Sequence, residues 1–217
     1  MMEELLPANA VSVEAWNDDQ AAVLYPEERT LLGNAIESRL QEFATTRSLA
    51  RQALGRLGHP PEPIGRGSAG EPLWPSGIVG SITHCAGYRA AAIARRTHLR
   101  SLGIDAEIDD ALPPEVVESI LVGEEIAWVE NAPDQRHWDR VLFSAKESVY
   151  KAWFPLTHCW LDFSQVAIAI NAPAGAFRVQ PLGSLPEDSG QVLRQLSGRF
   201  LFRNRIILTA VFLLQET

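Results

Sequence analysis

Two separated stretches constrain the fold more than any other feature: Gly103-Ile104-Asp105-Ala106-Glu107 and Lys146-Glu147-Ser148-Val149-Tyr150-Lys151. Asp105 and Glu107 are two apart, so on a strand both carboxylates leave the same face. Glu147 and Lys151 are four apart, so on a helix they share one stripe. A strand with two acids facing a helix with a third makes an oxygen-rich site for a hard cation such as Mg²⁺. The nearby lysines imply that the cation arrives with phosphate. An ordinary solvated helix pair, worth a few tenths of a kcal/mol, would also account for Glu147 and Lys151. It accounts less well for Asp105 and Glu107, which end the apolar run Leu102-Gly103-Ile104.

The elements around these stretches are readable from period and punctuation. Residues 11–16 alternate as a short strand, and Pro26-Glu27-Glu28 opens a helix with acids at its positive end. A longer helix is expected over 37–57, closed by Gly58-His59-Pro60-Pro61. A Pro- and Gly-rich loop follows over 60–77, then strands at 78–85, 88–95 and 99–107. Helical pattern returns over 114–131, interrupted near Gly123, and again over 138–153, with Pro155 expected to stop it. Strands are expected at 166–170, 176–179, 199–202 and 206–213, with a polar loop around 186–190.

Each half thus reads helix first and strands after. The expected architecture is α+β, with two similar lobes, 1–108 and 109–217, and the active site in the cleft between them.

Composition sets the outer limits. The 217 residues are 46% hydrophobic and 21% charged, which suits a globular protein with ample core. No apolar run reaches the roughly 18 residues of a membrane span, and the acidic start Met1-Met2-Glu3-Glu4 does not read as a secretory signal. Cys85 and Cys159 lack zinc or redox spacing and read as free thiols of a reducing cytoplasm. A net charge of −8 argues against sequence-independent nucleic-acid binding, though a local basic pocket remains compatible with it.

Such a pocket has candidates. Arg39, Phe43, Arg47 and Arg51 form an i, i+4 ladder, and no acid lies four residues before any of the three arginines. Guanidinium groups aligned in this way suit a phosphate ester. Arg66 lies in a Gly-rich loop whose backbone N–H groups would also face an anion, but Gly65, Gly67 and Gly70 do not follow a strand and open a helix, so no dinucleotide fingerprint is present. His84 closes the apolar strand Ile78-Val79-Gly80-Ser81-Ile82-Thr83, where a histidine would bind phosphate or polarise a hydroxyl. Trp153 and Phe154 end the helix of Glu147; if partly exposed, they would suit a protein partner.

Taken in order, Gly80-Ser81-Ile82-Thr83-His84-Cys85, Gly103-Ile104-Asp105-Ala106-Glu107 and Phe143-Ser144-Ala145-Lys146-Glu147-Ser148-Val149-Tyr150-Lys151-Ala152-Trp153 resemble the 4′-phosphopantetheinyl transferase superfamily. The match is to the monomeric, Sfp-type group and, within it, to the branch of enterobactin synthase component D and the actinobacterial enzymes. The resemblance covers roughly residues 35 to 170, and three ordered motifs make it far more specific than any one alone.

The resemblance implies transfer of 4′-phosphopantetheine from coenzyme A to a serine of an apo-acyl or peptidyl carrier protein, with release of adenosine 3′,5′-bisphosphate. The carrier would serve polyketide, nonribosomal peptide (siderophores included) or fatty acid synthesis, in the cytoplasm. It implies Asp105, Glu107 and Glu147 as ligands of Mg²⁺, with Mn²⁺ as a substitute. It implies Arg39, Arg47 and His84 on the 3′-phosphate or its neighbours, Arg66 over the adenine end, Thr83 lining that site and Lys151 on the pyrophosphate. Glu147, directly or through water, would take the serine proton. Ala106 stands where many relatives have a further acid, and Glu71 where a lysine often precedes the proline, leaving Arg66 as the loop's basic side chain. The rival readings are a metal-dependent phosphodiesterase or nuclease and a non-catalytic nucleotide-binding module.

Overall fold

The computed structural model describes residues 1–33, 35–185 and 189–215. In chain order the elements are β1 (Ala10–Trp16), α1 (Pro26–Thr30), α2 (Glu37–Arg56), the small hairpin β2 (Gly65–Arg66) and β3 (Pro72–Leu73), then β4 (Ile78–Cys85), β5 (Tyr88–Arg95) and β6 (Leu99–Ile108). After these come α3 (Pro114–Ile120), α4 (Glu124–Glu130), α5 (Trp138–Thr157), β7 (Val166–Asn171), β8 (Ala176–Pro181), α6 (Ser189–Gln195), β9 (Ser197–Arg203) and β10 (Ile206–Leu214). The strands form antiparallel sheets: one of three strands, β1-β5-β4, one of five, β6-β10-β9-β8-β7, and the hairpin.

Helix α2 lays Leu49, Ala50, Ala53 and Leu54 on Val13, Ala91 and Ile93 of the three-stranded sheet. The other face of β5 presents Ala90, Ala92 and Ala94, which share an apolar layer with Leu102, Ile104 and Ala106 of β6 and Leu208 and Ala210 of β10. The far face of the five-stranded sheet is covered by α5, through Val141, Leu142, Ala145, Val149 and Trp153 among others. These apolar positions recur at three and four, as a helix buried along one side requires.

Several expectations need correction. Strand β6, placed in the first lobe by a division after residue 108, hydrogen-bonds to β10 in the five-stranded sheet, with Asp105 opposite Thr209. The strand therefore reaches across the expected division after Ile108, while it also packs on β4 of the three-stranded sheet. Helix α5 does not stop at Trp153. Pro155 sits inside its last turn, and the helix ends where His158 turns left-handed at φ 52° and its N–H reaches Phe154 O at 2.8 Å. So late in a helix, the missing proline N–H costs one bond rather than the element. Of the polar loop expected at 186–190, Pro186, Glu187 and Asp188 lie outside the described residues, and Ser189 begins α6.

Candidate active site

The strand of acids and the helix of the third acid meet because the strand carries a glycine where they touch. A Cβ on Gly103 would lie 2.1 Å from Ser148 O and 2.7 Å from Ala152 N. No larger residue allows this approach, which brings Glu147 and Lys151 down beside Asp105. Lys151 Nζ donates to Asp105 Oδ1 at 2.6 Å and to Ile104 O at 3.3 Å.

Asp105 is 5% exposed and held from behind. Ser144 donates to its Oδ2 at 2.8 Å, and Thr83 approaches Oδ1 at 3.3 Å. The hydroxyls of Ser144, Thr209 and Ser148 form a buried chain at 2.9 and 2.6 Å. This seat was not apparent in sequence, since Thr209 comes from the last strand. It also corrects the expectation for Thr83. That side chain is buried against Asp105, where it also accepts from Ala106 N at 3.0 Å, and it does not line the cavity. Ala106 points to the opposite, apolar face and is 1% exposed, so an acid there would not join the other two.

Glu107 accepts from Arg140 of α5 at 2.9 Å. Its pKa is raised, first by burial and then by the Asp105 charge, with Arg140 opposing. Glu147 is likewise raised by burial and by Asp105, with Lys151 opposing, and it takes no hydrogen bond from the described residues. Two carboxylates thus carry the charge of a third as a cost.

The lysines divide. Lys151 faces the cavity, whereas Lys146 is sealed in the core, donating to Ile120 O at 2.7 Å, Phe163 O at 3.1 Å and Glu125 at 2.8 Å. Only one of the two flanking lysines can reach a phosphate.

A cavity of about 250 Å³ opens from Glu147, Tyr150 and Lys151 to Arg39, Arg47, Arg66 and His84. Arg47 donates to Ile64 O at 3.0 Å and stacks 4.0 Å over Phe43. Burial, with Arg66, Arg51 and Arg39 adding to it and Glu28 opposing, lowers its pKa to about 10, which leaves it charged at neutral pH. It has no acidic ion-pair partner within 4.0 Å among the described residues. The arginine ladder is otherwise not free. Arg51 is bound through both oxygens of Glu28, and Arg39 is paired with Glu42. Helix spacing at i, i+3 signals Arg39–Glu42, which looking only four residues before each arginine misses, whereas Glu28 comes from α1 and no helix spacing reaches it.

His84 Nδ1 lies 3.2 Å from Glu42, and its Nε2 lies 3.4 Å from Arg39. Its pKa is lowered, first by burial and then by Arg39, Lys151 and Arg89, with Glu42 opposing. Arg66 is exposed on the β2–β3 hairpin, where Glu71 accepts from Ala69 N at 3.0 Å. Trp153 is fully buried and Phe154 nearly so, so neither forms an exposed face. An exposed aromatic near the end of α5 is Trp160, 72% accessible, its ring 5.2 Å from that of Tyr150.

Glu147 and Lys151 at one end of the cavity, with Asp105 behind Lys151 outside its lining, and guanidinium and imidazole groups at the other end define a site for a phosphate-bearing ligand. A family model described as the 4′-phosphopantetheinyl transferase N-terminal domain matches residues 27–94, and one described as the 4′-phosphopantetheinyl transferase superfamily matches residues 101–199. The chain is 44% identical to the 4′-phosphopantetheinyl transferase Svp of Streptomyces mobaraensis, over 97% of this chain and 88% of that one. It is 41% identical to PptT of Mycobacterium tuberculosis, over 98% of both. It is 40% identical to Npt of Nocardia iowensis, over 97% and 99%. The chain belongs to the 4′-phosphopantetheinyl transferase superfamily. It is an enzyme of that type, transferring the phosphopantetheine arm of coenzyme A to carrier proteins.

Proposed function

We propose that transfer takes place in the cavity between α2 and α5, with coenzyme A lying from Arg39, Arg47 and His84 to Asp105 and Glu147. The observation that carries this is the convergence of Arg39, Arg47, Arg66, His84, Glu147 and Lys151 on one cavity from elements far apart in sequence. Arg39, Arg47 and His84 would hold the 3′-phosphate, Arg66 and its hairpin the adenine end, and Lys151 the pyrophosphate.

The donor set fits a hard divalent cation in kind and charge: oxygen ligands, two of them with pKa values raised first by burial and also by the charge of the third. Among the described residues, no ready-made cluster of three such groups is assembled, and the Lys151 ammonium rests on Asp105. Asp105, Glu107 and Glu147 would hold Mg²⁺, or Mn²⁺ in its place. Such an ion neutralises the departing bisphosphate and polarises the attacked phosphorus. Glu147, with a raised pKa and no hydrogen-bond partner among the described residues, is the group placed to take the serine proton, directly or through water. Trp160 and Tyr150 form the rim we assign to the carrier side.

The finer architecture follows the same logic. Each of the two similar lobes, 1–108 and 109–217, would centre on a long helix against a sheet, α2 in the first and α5 in the second, the two related by a pseudo-two-fold. We further propose that the enzyme acts as a cytoplasmic monomer; no helix among the described residues is long and apolar enough to cross a membrane. The test is mass spectrometry of apo-carrier proteins incubated with coenzyme A and Mg²⁺. Expected is a mass gain equal to the arm, abolished by a chelator and restored by the metal. No gain on any carrier would overturn the reading.

A further inference from the structure

Glu42 is an acid in the middle of the basic end of the cavity. It is bound to Arg39, lies 3.2 Å from His84 Nδ1 and 3.8 Å from Arg89. The two contacts of His84 fix its tautomer: Nε2 accepts from Arg39, so the proton is on Nδ1 and points at Glu42. Arg89 cannot turn away, since its other donors are committed to Asp18 at 2.7 Å, Cys85 O at 2.6 Å and Tyr88 O at 3.1 Å. Arg39 and His84, two of the groups assigned above to the 3′-phosphate, therefore already converge on a carboxylate. A phosphate that uses them must share them with Glu42 or displace it.

We propose that Glu42 is a built-in competitor of the 3′-phosphate. With the cavity empty, it neutralises Arg39 and accepts from His84, holding the two together. With ligand bound, its charge opposes the phosphate across the same donors. The product, adenosine 3′,5′-bisphosphate, keeps the 3′-phosphate but loses the arm. Glu42 thus weakens the product at its strongest anchor and favours its release, at some expense in affinity for coenzyme A. The inference rests on the placement of the 3′-phosphate at Arg39 and His84.

The experiment compares binding of adenosine 3′,5′-bisphosphate and adenosine 5′-phosphate to the wild type, Glu42→Gln and Glu42→Ala by calorimetry. Product inhibition of transfer is measured alongside. Expected is about ten-fold tighter binding of the bisphosphate in both variants, from removal of one adjacent like charge. The inhibition constant should fall by a similar factor, and adenosine 5′-phosphate should bind as before. Bisphosphate binding that is unchanged or weaker in either variant overturns the proposal, because Glu42 would then only position Arg39 and His84. Equal tightening of both ligands overturns it too, since the effect would not belong to the 3′-phosphate. If wild-type enzyme binds the two ligands equally, the placement of the 3′-phosphate fails and the proposal with it.

Discussion

Lys146 and Lys151 belong to the same helix and each pairs with an acid, yet their surroundings differ in every respect that matters. Their positions are about 140° apart around a helix of 3.6 residues per turn. The Lys146–Glu125 side chains are 0% and 2% exposed, and the ammonium spends all three donors on Glu125, Ile120 O and Phe163 O. Glu125 in turn accepts from Val122 N and Ile168 N at 2.9 and 2.7 Å, so the pair ties α4 and β7 to α5. Lys151 is 28% exposed and lines the cavity, with one donor on Asp105 and one on Ile104 O. The lesson is that pairing alone does not mark a working residue. A pair sealed on every side is structure, and a pair with an open side can exchange partners.

The sharpest test lies between the two lysines. Glu147→Gln should reduce transfer by about 10²-fold to 10⁴-fold, the usual worth of a positioned acid–base group, while coenzyme A binding stays measurable by calorimetry. Unchanged turnover would remove Glu147 from the chemistry. It would also leave Lys151 as the only working group on that stripe.

The comparison itself breaks or holds on stability. Lys146→Met leaves Glu125 buried without its partner and should lower the unfolding free energy in urea by about 3–5 kcal/mol. Lys151→Met leaves Asp105 buried but still held by Ser144 and Thr83, so it should cost less, about 1–3 kcal/mol, and lower transfer. The reverse order would mean that the open pair, not the sealed one, holds the fold together.

The fate of Lys146 also shows how far the sequence reaches. The helix was legible, and so was the face shared by Glu147 and Lys151, because both follow from the helical period. Lys146 falls on the apolar stripe, between Leu142 four residues before and Val149 three after. That position signals burial, although a lysine beside a carboxylate equally suits a phosphate. Its partners Ile120 O and Phe163 O could not be read, because only tertiary packing brings them there. The same holds for the Ser144–Thr209–Ser148 chain and for Glu28 on Arg51. Asp105 and Glu107 were legible because strand alternation is local, and Thr83 was misread because its neighbour across the sheets is not.

Smaller effects probe the support of the open pair. Ser144→Ala removes the hydrogen bond to Asp105 Oδ2 and leaves Thr209 with one partner fewer. It should cost about 1.5 kcal/mol of stability, in the range for a buried bond to a charged group. It should also weaken Mg²⁺ binding measured by titration, with coenzyme A absent. A stability loss with unchanged metal affinity would make the hydroxyl chain part of the core alone.

The smallest expected change reads the charge of the open side directly. Cys85 closes the strand of His84, and its thiol pKa is raised to about 11 by burial, with further contributions from the Glu107 and Asp105 charges. Thiolate is the reactive form, so alkylation of Cys85 in chelator should be slow at neutral pH and rise about ten-fold per pH unit until the pH approaches 11. The sign for stability follows from the same shift. Below pH 9, the ordinary thiol value in the unfolded chain, both states keep the proton and nothing is lost. As pH rises from there through the folded value, the unfolded state releases its proton first and stability falls. A cation held by Asp105 and Glu107 would cancel the two charges that raise the thiol. Adding Mg²⁺ should therefore speed alkylation of Cys85 severalfold and leave Cys159 unaffected. Glu107→Gln should speed it without metal. If Mg²⁺ slows Cys85 or changes both thiols alike, the cation does not sit where the open pair places it, and the exchange between Lys151 and a metal at Asp105 loses its support.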